Sequence, residues 1–105
     1  MNTNKVEKII SLHASWCAPC KMFTKTFEQV RKDEKYKDIK FESYDIEDGE
    51  KGSDITEKYM VRSVPTTILL DKEDNPIKKV IGNVPEKDFT DIINDCLSES
   101  KELKE

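Results

Sequence analysis

Two spacings of apolar residues alternate along this chain, one suited to strands and one to helices. Residues 8–14, Lys8-Ile9-Ile10-Ser11-Leu12-His13-Ala14, form a short apolar, β-leaning run that predicts a buried strand. After Trp16-Cys17-Ala18-Pro19-Cys20, the residues Phe23, Phe27 and Val30 recur at helical spacing among lysines and acids. This predicts a helix over 18–36, with Pro19 in the first turn, where a missing N–H costs nothing. Residues 39–46 alternate in part and read as a second strand. The polar stretch 47–52, with two glycines, reads as a loop, and Ser53 as the cap of a short helix to about 59. Thr66-Thr67-Ile68-Leu69-Leu70 is β-branched and apolar, a third strand; 71–76 is a hairpin turn and 77–81 the returning fourth strand. Gly82 breaks that strand, and Pro85 begins a last helix on which Phe89, Ile92, Ile93, Cys96 and Leu97 form one apolar stripe. The expected order is β-α-β-α-β-β-α, an α/β fold with a four-stranded mixed sheet flanked by helices. Both early βαβ crossovers are expected to be right-handed and the closing hairpin antiparallel.

The chain has 105 residues without an internal repeat or linker, which predicts one domain with a core over about 8–97 and a charged, fraying tail over 98–105. Charged residues make up 38% and the net charge is −4, with lysines and acids interspersed, so there is no basic face to displace phosphate counterions; nucleic acid is not an expected partner. No stretch approaches the ~20 apolar residues of a membrane span. The first eight residues lack the apolar run of a secretory signal, and the expected compartment is the cytoplasm. Of three cysteines, two form a Cys-x-x-Cys pair, which is no disulfide scaffold and in an intracellular setting means redox chemistry or metal.

That pair sits where a strand feeds a helix. Cys17 is placed at the helix N-terminus, where free N–H groups and the positive end of the dipole favour an anion. Cys20, one turn on, is expected to be more buried and to keep its proton longer. Cys17 is therefore the expected nucleophile and Cys20 the resolving thiol. A thiol of pKa near 8.5 is only about 3% ionised at pH 7, and one lowered to about 7 is roughly half ionised, so the gain in reactive species exceeds about tenfold. A structural zinc site needs two further ligands, and the remaining cysteine and histidine are Cys96, on the core stripe, and His13.

Trp16-Cys17-Ala18-Pro19-Cys20-Lys21 resembles the active-site motif of the thioredoxin family, and Lys58-Tyr59-Met60-Val61-Arg62-Ser63-Val64-Pro65-Thr66 resembles the stretch around that family's cis-proline loop. The likeness runs from about residue 9 to residue 97. It implies a thioredoxin-like fold, a cis peptide bond between Val64 and Pro65, and a shallow apolar substrate groove formed by Trp16, Ala18, Pro19, Val64, Pro65 and Gly82. It implies disulfide-containing protein substrates held in extended form. A flavoenzyme reductase is the implied electron donor, and no bound cofactor is needed. Nothing argues for a stable oligomer, and a monomer is expected.

The chain also departs from the family pattern. Cys17 comes early, which brings the architecture closer to a minimal, glutaredoxin-sized core. Ser11 stands where thioredoxins carry a buried acid, so proton transfer at Cys20 must use water or another group. Lys25 replaces a helix-kinking proline, Ala18 replaces the commoner glycine, and the 47–52 loop is longer. His13 is a candidate for stabilising the thiolate or relaying its proton, against an ordinary partly buried histidine. Lys21 is a candidate for adding positive potential, against a solvated lysine. Cys96 reads as a small core hydrophobe. Two rival functions are a glutathione-linked glutaredoxin, opposed by the Ala18-Pro19 dipeptide and the lack of a Gly-Gly pair after the fourth strand, and a thioredoxin-fold adaptor whose cysteines serve recognition.

Overall fold

A computed structural model describes residues 5–47 and 49–97. Its elements are β1 (Lys8–His13), α1 (Ala18–Arg31), a 3-10 turn (Glu34–Tyr36), β2 (Lys40–Asp45), α2 (Gly49–Lys58), β3 (Thr66–Leu70), β4 (Pro76–Ile81) and α3 (Glu86–Leu97). The expected charged tail over 98–105 lies outside the described residues.

The sheet order is β2-β1-β3-β4. β1 and β2 are parallel, as a helical crossover requires, while β3 runs antiparallel to β1 and β4 antiparallel to β3. The expectation of two parallel crossovers is therefore corrected: only β1-α1-β2 joins parallel strands, and α2 returns the chain to a strand of opposite direction. The apolar pattern reports which face of a strand is buried, and is silent on which way the strand points. The mixed four-stranded sheet stands as expected.

β3 is buried along its whole length and β1 over its central four residues, as interior strands covered on both faces must be. Under α1 and α3, Ile9 and Leu69 meet Phe23, Phe27, Val30, Phe89 and Ile93. Phe23 meets Phe89 edge-on at 5.2 Å between ring centroids. On the other face, Ile10, Leu12, Ile68 and Leu70 pack with Tyr59, and Ile55 of α2 lies against them.

Two helix boundaries differ from the reading of the pattern. α1 ends at Arg31 with Lys32 as C-cap; Asp33 then adopts an extended conformation and its side chain accepts from the Lys35 N–H, starting the 3-10 turn. Tyr36 is buried through that turn, with its hydroxyl donating to Asn94 Oδ1 at 2.7 Å. α2 begins at Gly49, so most of the expected polar loop is helical and Ser53 lies inside the helix. Gly52 permits this: it is buried, and a Cβ on it would collide with the Asp45 carbonyl, so the helix can pass against the end of β2 only at glycine. α3 starts one residue after Pro85.

Candidate active site

Local physics places Cys17 and Cys20. β1 ends at His13, the Cys17 N–H closes a turn onto the Ala14 carbonyl at 3.2 Å, and Pro19 stands in the first turn of α1, where its fixed φ starts a helix. Cys17 is the N-cap of α1, with an extended backbone, and its Sγ accepts from the Cys20 N–H at 3.1 Å. Cys17 and Cys20 are joined in a disulfide with their Cα atoms 5.2 Å apart. Both are buried, in one small cluster with Ala14, against which Ile46 and Val64 pack. The first-turn N–H groups of α1 and its dipole thus face the Cys17 sulfur, an arrangement that favours negative charge there once the bond is reduced.

The second half of the site comes from the segment between α2 and β3. The Val64–Pro65 peptide is cis. The Val64 carbonyl oxygen lies 3.7 Å from Cys17 Sγ. Pro65 is buried and Val64 half-buried. The Gly82 N–H donates to the Pro65 carbonyl at 2.8 Å, which ties the end of β4 to this loop. Gly82 has φ +95, a conformation that favours glycine. Ala18 and Pro19 are exposed on the helix tip and Trp16 is 65% exposed, a large apolar surface beside the disulfide.

The other candidates are placed more loosely. Ser11 is buried on β1, paired with Thr67 of β3 and Ser43 of β2. The buried polar side chains among the described residues are Ser11, Thr66 and Thr67, so no buried carboxylate serves Cys20. His13 is half-buried at the end of β1, in register with Asp45, and its ring makes no hydrogen bond among the described residues. Lys21 is exposed on α1 and pairs with no carboxylate among the described residues. Cys96 packs half-buried against the core under α1 and α3, far along α3 from its N-terminus. No three His, Cys, Asp or Glu side chains among the described residues gather as a metal site requires.

Two residues of the site escape sequence reasoning. Glu47 Oε2 accepts from the Trp16 indole Nε1 at 3.0 Å, orienting the exposed ring from 31 residues away. Ile46, the residue before it, packs against the cluster that holds both cysteines. The alternation that ended the second strand gave a place to Ile46 and no signal for a partner across the sheet end.

The thioredoxin family model matches residues 1–95. Thioredoxin of Mycoplasmoides gallisepticum is 30% identical over 93 residues, covering 89% of this chain and 86% of that protein. Thioredoxin of Borreliella burgdorferi is 36% identical over 87 residues, covering 83% of this chain and 70% of that protein. Among solved structures, the germline-specific thioredoxin Deadhead of Drosophila melanogaster superposes with a TM-score of 0.71 at 25% identity, over 87% of this chain and 80% of that one.

Proposed function

The chain belongs to the thioredoxin family and is a protein-disulfide oxidoreductase, and from that premise we propose that it reduces protein disulfides with Cys17 as nucleophile and Cys20 as resolving thiol. The observation that carries this reading is the placement of Cys17 as N-cap of α1, with the Cys20 N–H on its sulfur and the Val64 carbonyl 3.7 Å away.

In the reduced protein the Cys17 thiolate attacks one sulfur of a substrate disulfide, forming a mixed disulfide and releasing the first substrate thiolate, which takes up a proton. Cys20 then loses its proton and attacks Cys17 Sγ, forming the Cys17–Cys20 disulfide and releasing the second substrate thiolate. Two electrons pass to the substrate. The substrate chain lies extended across Trp16, Ala18, Pro19 and Gly82 and pairs its backbone with Val64 beside Pro65. With no buried carboxylate at Ser11, the Cys20 proton leaves through water, with His13 the nearest titratable side chain along β1. A flavoenzyme reductase restores the dithiol, the protein works as a monomer without bound cofactor, and its compartment is the cytoplasm. No helix among the described residues is long and apolar enough to cross a membrane.

The test is a trapping experiment with insulin as substrate. Cys20→Ser is expected to accumulate a mixed disulfide on Cys17 visible by mass spectrometry, while Cys17→Ser reduces insulin no faster than buffer. Equilibration of the parent in thiol buffers is expected to give a potential near about −270 mV. Trapping on Cys20 in Cys17→Ser, at a comparable rate, would reverse the assigned roles.

A further inference from the structure

Beside the Val64–Pro65 loop lies a groove of about 640 Å³, with Ser63 and Thr66 in its wall. Three cations line it, Lys58, Arg62 and Lys79, and none of them makes an ion pair among the described residues. The carboxylate in the lining, Asp74, is engaged by Lys8 Nζ at 3.2 Å. The groove is therefore locally positive in a chain whose net charge is −4. Two of the cations are held in place: Lys79 Nζ donates to the Tyr59 carbonyl at 2.8 Å, and Lys58 Nζ sits 5.2 Å from the centroid of the Tyr59 ring. Apolar surface accompanies the charge, since Met60 and Ile81 are 67% and 65% exposed.

Charge held against a neighbouring carbonyl and ring, next to exposed apolar side chains, suits a ligand that is acidic and apolar at once. The groove and the reaction site share one segment. Arg62 stands two residues before Val64, within about 7 Å of extended chain, so a peptide paired with Val64 reaches the cations within a few residues. We infer that this groove extends the substrate-binding surface and takes a segment of the protein substrate, flanking its reacting disulfide, that carries acidic and apolar residues. The inference rests on the proposed reductase activity. It predicts a preference opposite to the one the net charge alone would give: long-range attraction favours basic substrates, whereas the groove acts within a Debye length and favours acidic ones.

Three synthetic peptide disulfides separate these cases, identical except for Glu, Gln or Lys on both sides of an apolar-flanked cysteine. The protein is first reduced with dithiothreitol and desalted, and each turnover converts one peptide disulfide to two thiols as Cys17 and Cys20 become a disulfide. At low ionic strength the Glu peptide is expected to react about five- to tenfold faster than the Lys peptide, as two or three exposed ion pairs allow. High salt should erase the difference. In the combined variant Lys58→Gln, Arg62→Gln, Lys79→Gln, the ratio of Glu-peptide to Gln-peptide rates should fall to about one. A ratio compares rates within one protein, so a change in folded fraction cancels. Preference for the Lys peptide, or a Glu preference that survives in the combined variant, overturns the inference. So does self-association seen by sedimentation and abolished in that variant, which would assign the groove to a second copy of the chain. If the parent reduces none of the peptides, the reductase reading fails. The groove is then decided by fluorescence anisotropy with a labelled Glu peptide in which serine replaces cysteine: binding lost in the combined variant sustains it, and no binding ends it.

Discussion

Thr67 is the second residue of β3, fully buried, opposite Ser11, and its hydroxyl has no hydrogen-bond partner among the described residues. An unsatisfied buried hydroxyl costs about 1–3 kcal/mol, and valine keeps the branched shape, favours strands and lacks the polar atom. Thr67→Val is therefore expected to raise stability by about 1–2 kcal/mol, read as a shift of the urea midpoint with unchanged slope. A loss of stability would mean the hydroxyl is bonded in solution and the orphan assignment is wrong. The same position shows what a sequence carries at this scale and what it leaves out. Cys17 and Cys20 are legible because they form a local motif with fixed spacing, and Val64, Pro65 and Gly82 are legible through the resemblance to the thioredoxin family. Neither the pairing of Ser11 with Thr67 nor the bond from Trp16 to Glu47 is legible, since both depend on register and on contacts across 31 or more residues.

At the scale of elements, β3, the stripe of α3 and the later part of α2 are readable from spacing and turn residues, whereas the first turn of α2 is not, and Gly52 explains why. Glycine lowers helix propensity, so a stretch with Gly49 and Gly52 reads as loop. Here the missing Cβ is what lets α2 pass the Asp45 carbonyl. The two effects can be set against each other in Gly52→Ala. Propensity gains up to about 1 kcal/mol, while overpacking against backbone costs about 1–3 kcal/mol and possesses no flexible side chain to relieve it. The expected outcome is a net loss of stability, with the melting temperature falling by about 4–8 °C per kcal/mol in a domain of this size. The exposed helical position beside it, in Ser53→Ala, should stay within about 0.5 kcal/mol of the parent. An alanine at 52 that stabilises would show that α2 does not lie against β2 as described. Because Asp45 leads directly into Ile46, which packs on the cluster that holds the cysteines, the displaced strand end should also slow disulfide reduction.

For the molecule as a whole, charge is spread over the surface and its ion pairs are exposed or partly so, contributing little individually. Among the groups that make stability depend on pH are some that the fold holds protonated. The bond to Asp74 raises Lys8, burial raises the Tyr36 phenol, and the bond to Glu42 raises Tyr44. In each case the folded pKa lies above the unfolded one, so the unfolded chain releases its proton first. The contribution is complete below the unfolded value, near 10 for tyrosine, and is lost as pH rises through the folded value. Stability from these groups should therefore stay level up to about pH 10 and decline above it. Tyr36→Phe isolates one of them. At neutral pH the variant is expected to be less stable by about 1 kcal/mol, having lost the bond to Asn94. From about pH 10 to about pH 11 the parent pays for ionising a buried phenol and the variant does not, so the gap between their urea midpoints should narrow. A gap that stays constant over that range would mean that Tyr36 ionises alike in both states, and that the packing of the 3-10 turn against α3 leaves its hydroxyl open to water.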